Sequence, residues 1–152
     1  QCRNSNTTST LSSTDQPGHG DFIVNIINYA INSPYDWRSP QNDNLWQGVN
    51  GINNPCPNGY RLPTEAEWEE ERLSWSSNDA AGALASPLKL PLAGVRIYYD
   101  ASLYGVDLSG YYSNSNFTGD YSHFIYIHSN FAESFNGHVR AYGSSVRCIK
   151  DY

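Results

Sequence analysis

Charge is scarce in this chain. Only 16% of its 152 residues are Asp, Glu, Lys or Arg, and the formal net charge is −6. Its nine Lys and Arg form no cluster. Nucleic acids and anionic membranes are held by concentrated basic patches, so the composition argues against both as partners. No apolar run approaches the ~20 residues that a membrane-spanning helix needs. No segment has the form of a signal peptide, and the first residue is Gln1, which reads as a processed chain or an excised domain. Cysteine is equally sparse. Cys2, Cys56 and Cys148 lie far apart and make neither CxxC nor metal-ligand spacing. The histidines, His19, His123, His128 and His138, form no HxH or HExxH motif, so no metal site is expected from them. GxSxG, P-loop and dinucleotide fingerprints are missing too, and no residue is assigned a catalytic role.

What the chain does have is aromatic and neutral-polar side chains. Trp 4, Tyr 12 and Phe 5 predict an aromatic-rich core, and 152 residues suffice for one domain with a real interior. The densest local instructions lie in residues 54–75, NPCPNGYRLPTEAEWEEERLSW. Pro55, Pro57 and Pro63 fix φ and lack an N–H, so residues 54–63 form an extended, turning approach. Thr64 followed by Glu67 is a capping box, and Glu65 and Glu67 suit the positive end of a helix dipole. Trp68 and Trp75, with Ala66 and Leu73, place one apolar stripe on a helix over 64–76. Glu69, Glu70, Glu71 and Arg72 take its wet side.

GYRLPTEAEWE resembles the helix signature of the formylglycine-generating-enzyme-like branch (sulfatase-modifying factors) of the C-type-lectin-like fold. With PYDWRSPQNDNLWQG, ASPLKLPLAGVR and RAYGSSVRCIKD, residues 34–151 resemble the Fibrobacter succinogenes major paralogous domain family. That resemblance implies a compact extracellular α+β domain, generally without assigned catalysis. It also implies a sheet in which the first and last strands pair, here 22–27 with 145–150. The reactive cysteine pair of the formylglycine-generating enzymes has no counterpart, because only Cys148 lies in the C-terminal half. That activity therefore does not carry over.

The remaining elements follow from pattern. Residues 1–20 are polar and Ser/Thr-rich, an arm that cannot fold alone. We expect a neighbouring subunit to hold it, with Cys2 available for an intermolecular bridge. The arm folded back on its own body is the competing reading. Residues 21–152 form the single domain. Cys56 and Cys148 are read as a disulfide, with buried thiols as the alternative. Asn6 and Asn116 head glycosylation sequons. Residues 32–54 form a long loop that Trp37 and Trp46 pin to the core. Its Asn42-Asp43-Asn44 run raises calcium only weakly, since it lacks the Gly and distal Glu of a calcium loop. Cofactors are otherwise expected to be none. After the helix, 77–82 reads as a connector, 84–92 as an edge ribbon, and 94–99, 111–112, 124–128 and 139–142 as strands.

Residues 111–144 hold five tyrosines, four phenylalanines and three histidines, with Asn and Ser between them and no lysine. Rings supply rigid contact area and Asn/Ser supply adaptable hydrogen bonds. About half of these rings are assigned to the core. Segments 114–123 and 129–138 lack a strand pattern and are read as loops that bind a ligand. The contacts assigned are Asn114, Asn116, Phe117, Tyr121, His123, Asn130, Phe131, Phe135, Asn136 and His138. Their composition also resembles the variable segments that diversity-generating retroelements alter in some lectin-like proteins. The function expected is non-catalytic binding of a cell-surface protein or glycan outside the cell. The alternative is a structural subunit of an extracellular filament or surface assembly, joined through the arm.

Overall fold

The computed structural model describes residues 4–25 and 35–152. It is a mixed α+β domain dominated by strands. Residues 1–3, with Cys2, and residues 26–34, which include the end of the expected strand 22–27 and the start of the loop 32–54, lie outside the described residues.

The centre is an antiparallel meander of three strands: β6 (Ser109–Thr118), β7 (Tyr121–His128) and β8 (Ala132–Val139). Strand β7 is in the middle. Its pleat sends Ile125 and Ile127 to one face and Phe124 and Tyr126 to the other. Gly119, at φ +56°, makes the β6–β7 turn. The register shifts between Ser113 and Phe117 and again between Ser122 and Phe124. Such irregularities bend a strand and re-aim its side chains.

One face packs against two helices, α1 (Glu65–Leu73) and α2 (Ala80–Ala85). Trp68, Trp75, Ala83, Leu90, Tyr112, Ile125, Ile127 and Ala132 form this core. Helix α1 starts as the sequence predicts. Thr64 Oγ1 accepts from the Glu67 N–H at 3.3 Å, and the Thr64 N–H donates to Glu67 Oε2 at 2.8 Å. Arg61 reinforces the cap by bonding both Glu67 oxygens, at 2.8 and 2.7 Å. That pairing and the cap hold the Glu67 carboxyl down to about 2. The apolar stripe is narrower than expected. The helix stops at Leu73, so Leu73 is 70% exposed, and Ala66 also faces solvent. Trp75 still reaches the core from beyond the helix end and donates its indole N–H to Glu71. Helix α2 replaces part of the expected connector and edge ribbon, because the Asp79 carboxylate caps Gly82 N–H at 2.9 Å.

The opposite face carries a ring layer with Val95, Ile97, Tyr111 and Phe124 at its centre. A hairpin of β4 (Val95–Arg96) and β5 (Leu103–Tyr104) covers part of it. Gly94, at φ +69°, permits this approach, since a Cβ there would stand 2.4 Å from the Tyr104 carbonyl oxygen.

Strand pairing elsewhere corrects the expectation for the termini. Strand β2 (Phe22–Ile23) pairs in parallel with β1 (Thr7–Thr8). The last strand, β9 (Ile149–Lys150), pairs with β3 (Tyr60–Arg61) instead of the first strand. Arg61 Nε to Asp151 Oδ1, at 2.8 Å, adds an ion pair to that junction. The Cys56–Cys148 disulfide is present and ties the approach to α1 to the chain just before β9.

The arm, among the described residues, follows the competing reading of a segment folded back on its own body. Residues 4–20 are held by their own chain. The backbone bonds Asn4 to Gly20, Asn6 to Phe22 and Ser12 to Trp37 and Ser39. Arg38 pairs with Asp15 at 2.9 Å, and Arg96 donates to the Asn4 carbonyl at 2.7 Å. Polar sequence without periodicity is ordered here by main-chain bonds, which need no particular side chain.

Trp68 is 2% exposed and donates its indole N–H to the Ser113 carbonyl. Trp68→Ala should therefore cost ~3–5 kcal/mol in urea denaturation, from lost burial and an orphaned carbonyl. An unchanged unfolding midpoint would contradict this packing.

Candidate functional site

The segments read as loops are strands. Residues 114–118 belong to β6, 121–123 to β7 and 132–138 to β8. Their Asn, Ser and Gly content hid the pairing, and the two register shifts broke the alternation that would have shown it. The assigned residues consequently separate into three groups.

The first group lies on the ring layer. His128, Phe131 and Tyr126 meet at centroid distances of 5.3–6.2 Å. Tyr126 continues to Tyr111 at 5.0 Å and Tyr111 to Phe124 at 5.6 Å. Phe124 meets Phe135 at 5.5 Å and stacks on His138 at 4.1 Å. His138 stacks in turn on Tyr142 at 4.2 Å, and Tyr142 meets Tyr98 at 4.9 Å. The middle of this chain of rings is buried. Its flanks are open, with Phe131 38% and Phe135 46% exposed. Tyr104 and Leu103, on the covering hairpin, are exposed as well. Burial pushes the Tyr111 phenol up to about 12. Asn130 is exposed in the β7–β8 turn, 2.8 Å from His128 Nδ1, and Asn136 is exposed in β8.

The second group ties α1 to the β6–β7 hairpin. His123 Nδ1 lies 2.8 Å from Glu65 Oε2, and its Nε2 lies 2.9 Å from Thr118 Oγ1. Asn116 Oδ1 accepts the Glu65 N–H at 2.9 Å, satisfying one of the free N–H groups at the helix start. Hydroxyl, imidazole and carboxylate stand in the order that acyl transfer uses. No local motif announces this chain, because Glu65 and His123 are 58 residues apart. Tyr121 is exposed at the hairpin end.

The third group surrounds a cavity of about 150 Å³. It lies between β2, the loop carrying Trp37 and Trp46, the shifted part of β6–β7, and residues 140–146. Trp37 and Trp46 do anchor the loop, packed with Ile23, Leu45 and Ala141. Asn114, expected on an exposed loop, is instead 2% exposed on the cavity wall. Its Oδ1 accepts from the Asn116 N–H, but its Nδ2 has no partner. Arg140, 5% exposed, also lines the cavity. It pairs with Asp43 at 2.7 Å, donates to the Gly119 carbonyl and covers the Phe117 ring at 4.7 Å. Its Nε has no partner. Burying an unpaired donor costs about 1–3 kcal/mol. Sequence reading passed over Arg140, whose partners are distant in the chain.

The Asn42-Asp43-Asn44 run is occupied by the chain itself. Asn42 bonds Asp15 and the Asn44 N–H, and Asp43 bonds Gln41 and Arg140. Among the described residues, no group of three or more His, Cys, Asp or Glu is placed to hold a metal ion. Nor is any described helix long and apolar enough to cross a membrane. No family model, curated protein or solved structure matches this chain.

Two buried groups near the cavity titrate in opposite directions. Burial lifts the Asp36 carboxyl to about 6, against the opposing pull of Arg140. Burial lowers the His138 imidazole to about 4. Native Asp36 holds a proton that the unfolded chain has released, so its contribution is full below its unfolded value of 3.8 and lost as pH rises through about 6. Native His138 refuses a proton, so its contribution is present above 6.5 and lost as pH falls through about 4. Each amounts to about 3 kcal/mol, and they offset each other in between. Asp36→Asn should therefore melt at falling temperature as pH drops from 6.5 to 4, and His138→Phe at rising temperature. Identical slopes in both variants and the parent chain would refute the assignment.

Proposed function

We propose that this chain is a non-catalytic extracellular binding domain whose recognition surface is the open flank of the ring layer. The carrying observation is the continuous run of rings from Phe131 to Tyr142, buried in the middle and exposed at Phe131 and Phe135. Rings fixed by their neighbours present contact area at low entropic cost. The surrounding Asn130, Asn136 and Ser129 add hydrogen bonds without charge, as recognition surfaces do. The partner class is a cell-surface protein or glycan. An extracellular setting is supported by the Cys56–Cys148 disulfide, and Asn6 and Asn116 are both exposed for glycan attachment.

The C-type-lectin-like assignment belongs to the same proposal, as does membership of the Fibrobacter succinogenes major paralogous family. A capped helix on an antiparallel meander and a disulfide from the helix approach to the C-terminal segment support it. The β3–β9 pairing departs from the expected pairing of first and last strands. The rival assembly through the arm gains nothing from residues 4–20, whose main chain is engaged by the body of the same molecule.

The Ser double variant of Phe131 and Phe135 tests the surface. Both side chains are partly exposed, so the melting temperature should hold within a few degrees. Adhesion of labelled protein to immobilised glycans and intact cells should fall at least tenfold. Full retention of adhesion would move the site elsewhere.

The hydroxyl–imidazole–carboxylate chain favours one second reading, ester hydrolysis through Thr118 with His123 as base and Glu65 orienting it. The binding proposal expects no turnover of p-nitrophenyl acetate above the free-imidazole rate. Turnover abolished in both Thr118→Val and His123→Ala would replace it with the enzymatic reading.

A further inference from the structure

We infer that the cavity at Asn114 and Arg140 is a binding site for a small aromatic carboxylate, one ring in size. It shares Tyr142 with the ring layer but not the open flank, since neither Phe131 nor Phe135 lines it.

Size comes first. The cavity measures about 150 Å³, the volume at which an engineered apolar cavity admits benzene. Composition agrees, because the aromatic residues Trp37, Trp46, Phe22 and Tyr142 are on the lining. Aromatic side chains favour an aromatic occupant through offset and edge contacts.

Polarity then selects the functional group. Two residues of the lining each carry a buried donor without a partner, Asn114 at Nδ2 and Arg140 at Nε. A matching ligand must supply acceptors, and a carboxylate supplies two oxygens on one carbon. Charge favours it over a neutral carbonyl. Arg140 is cationic, and the carboxylate that pairs with it, Asp43, is 49% exposed, so solvent screens part of that pairing. Asp36 also acts on Arg140 but does not line the cavity. Ser113 and Ser144 are also on the lining and carry hydroxyls, while the Ser122 hydroxyl already donates to the His138 carbonyl at 3.1 Å. Entry is past Val146, 40% exposed, with half-buried Trp46 and Pro55 also on the lining.

Benzoate is the probe. Titrated into the full chain and followed by two-dimensional ¹H–¹⁵N NMR, it should shift the Arg140 Nε–H, Asn114 Nδ2–H and Trp37 indole signals saturably. Benzyl alcohol keeps the ring and loses the carboxylate, and should bind at least about tenfold more weakly. Asn114→Asp retains the Oδ1 that accepts from Asn116 and replaces the donor with an oxygen. It should weaken benzoate by about tenfold or more, by removing a charge-assisted bond and adding repulsion. Ser144→Leu narrows the cavity from a half-buried position and should weaken both probes. The Ser double variant of Phe131 and Phe135 should bind benzoate unchanged, which keeps this inference distinguishable from the ring-surface proposal. No saturable shift at millimolar benzoate would overturn the inference in the parent chain, whatever the variants do. Equal affinity for benzyl alcohol, or unweakened binding by a folded Asn114→Asp protein, would overturn it as well.

Discussion

Strand β7 is buried on both faces, and the rest of the molecule is arranged to satisfy that. Phe124, Ile125 and Ile127 are each 2% exposed or less. A strand with apolar side chains on both sides needs a layer above and a layer below. The helices supply one through Trp68, Trp75 and Ala83, and the ring layer with the β4–β5 hairpin supplies the other. The two layers differ in kind. Against the helices the contacts are mostly aliphatic and indole, and the polar groups there are bonded. On the far side they are rings on rings, open at the edges.

Two arginines join segments that the chain itself keeps far apart. Arg61 connects β3 to the cap of α1 and to Asp151, so helix start, helix approach and C-terminus share one guanidinium. The nearby Cys56–Cys148 bridge fixes the same corner covalently. Arg140 does the corresponding work at the other end, connecting the segment after β8 to Asp43 of the long loop and to the β6–β7 turn at Gly119. Its planar fork permits several directed bonds at once, which an ammonium could not make in that geometry. The cavity lies where this second junction is incompletely filled.

What could be read from the sequence was local. The cap of α1 is set within four residues, Thr64 to Glu67, and was legible from them alone. Trp37, Trp46 and Trp68 were legible as anchors because large rings seldom stay outside without cause. The helix end was less so, since nothing in 73–76 marks where tertiary packing stops rewarding the turn. The intrachain pairing of the arm and the partners of the terminal strands were not legible for one reason: main-chain pairing of two-residue strands carries no side-chain signature. Residues 114–118 and 132–138 were misread because register shifts erase alternation just where Asn, Ser and Gly lower β-propensity. The site suffered most. Asn114 was named for the wrong reason and Arg140 was not named, because a cavity is made by residues whose proximity only the fold creates.

The distribution of unmet hydrogen bonds separates the two ends of the molecule. Four buried side-chain atoms of the described residues lack a hydrogen-bond partner: Arg38 Nε, Asn114 Nδ2, His138 Nδ1 and Arg140 Nε. Arg38 Nε is nonetheless in ion-pair contact with Asp15, which leaves three. All three come from the shifted end of the meander or the turn of chain that follows it. Two of them belong to residues that line the cavity, and His138 stacks on Tyr142, which lines it too. Random imperfection would scatter such atoms through the core, including the α1 side, where Trp68 Nε1 and Trp75 Nε1 are both bonded. Among the described residues, the buried side-chain donors left without a partner are concentrated at this end of the sheet. Proteins keep such departures where something other than folding depends on them. The register shifts, between Ser113 and Phe117 and between Ser122 and Phe124, lie at the same end of the sheet.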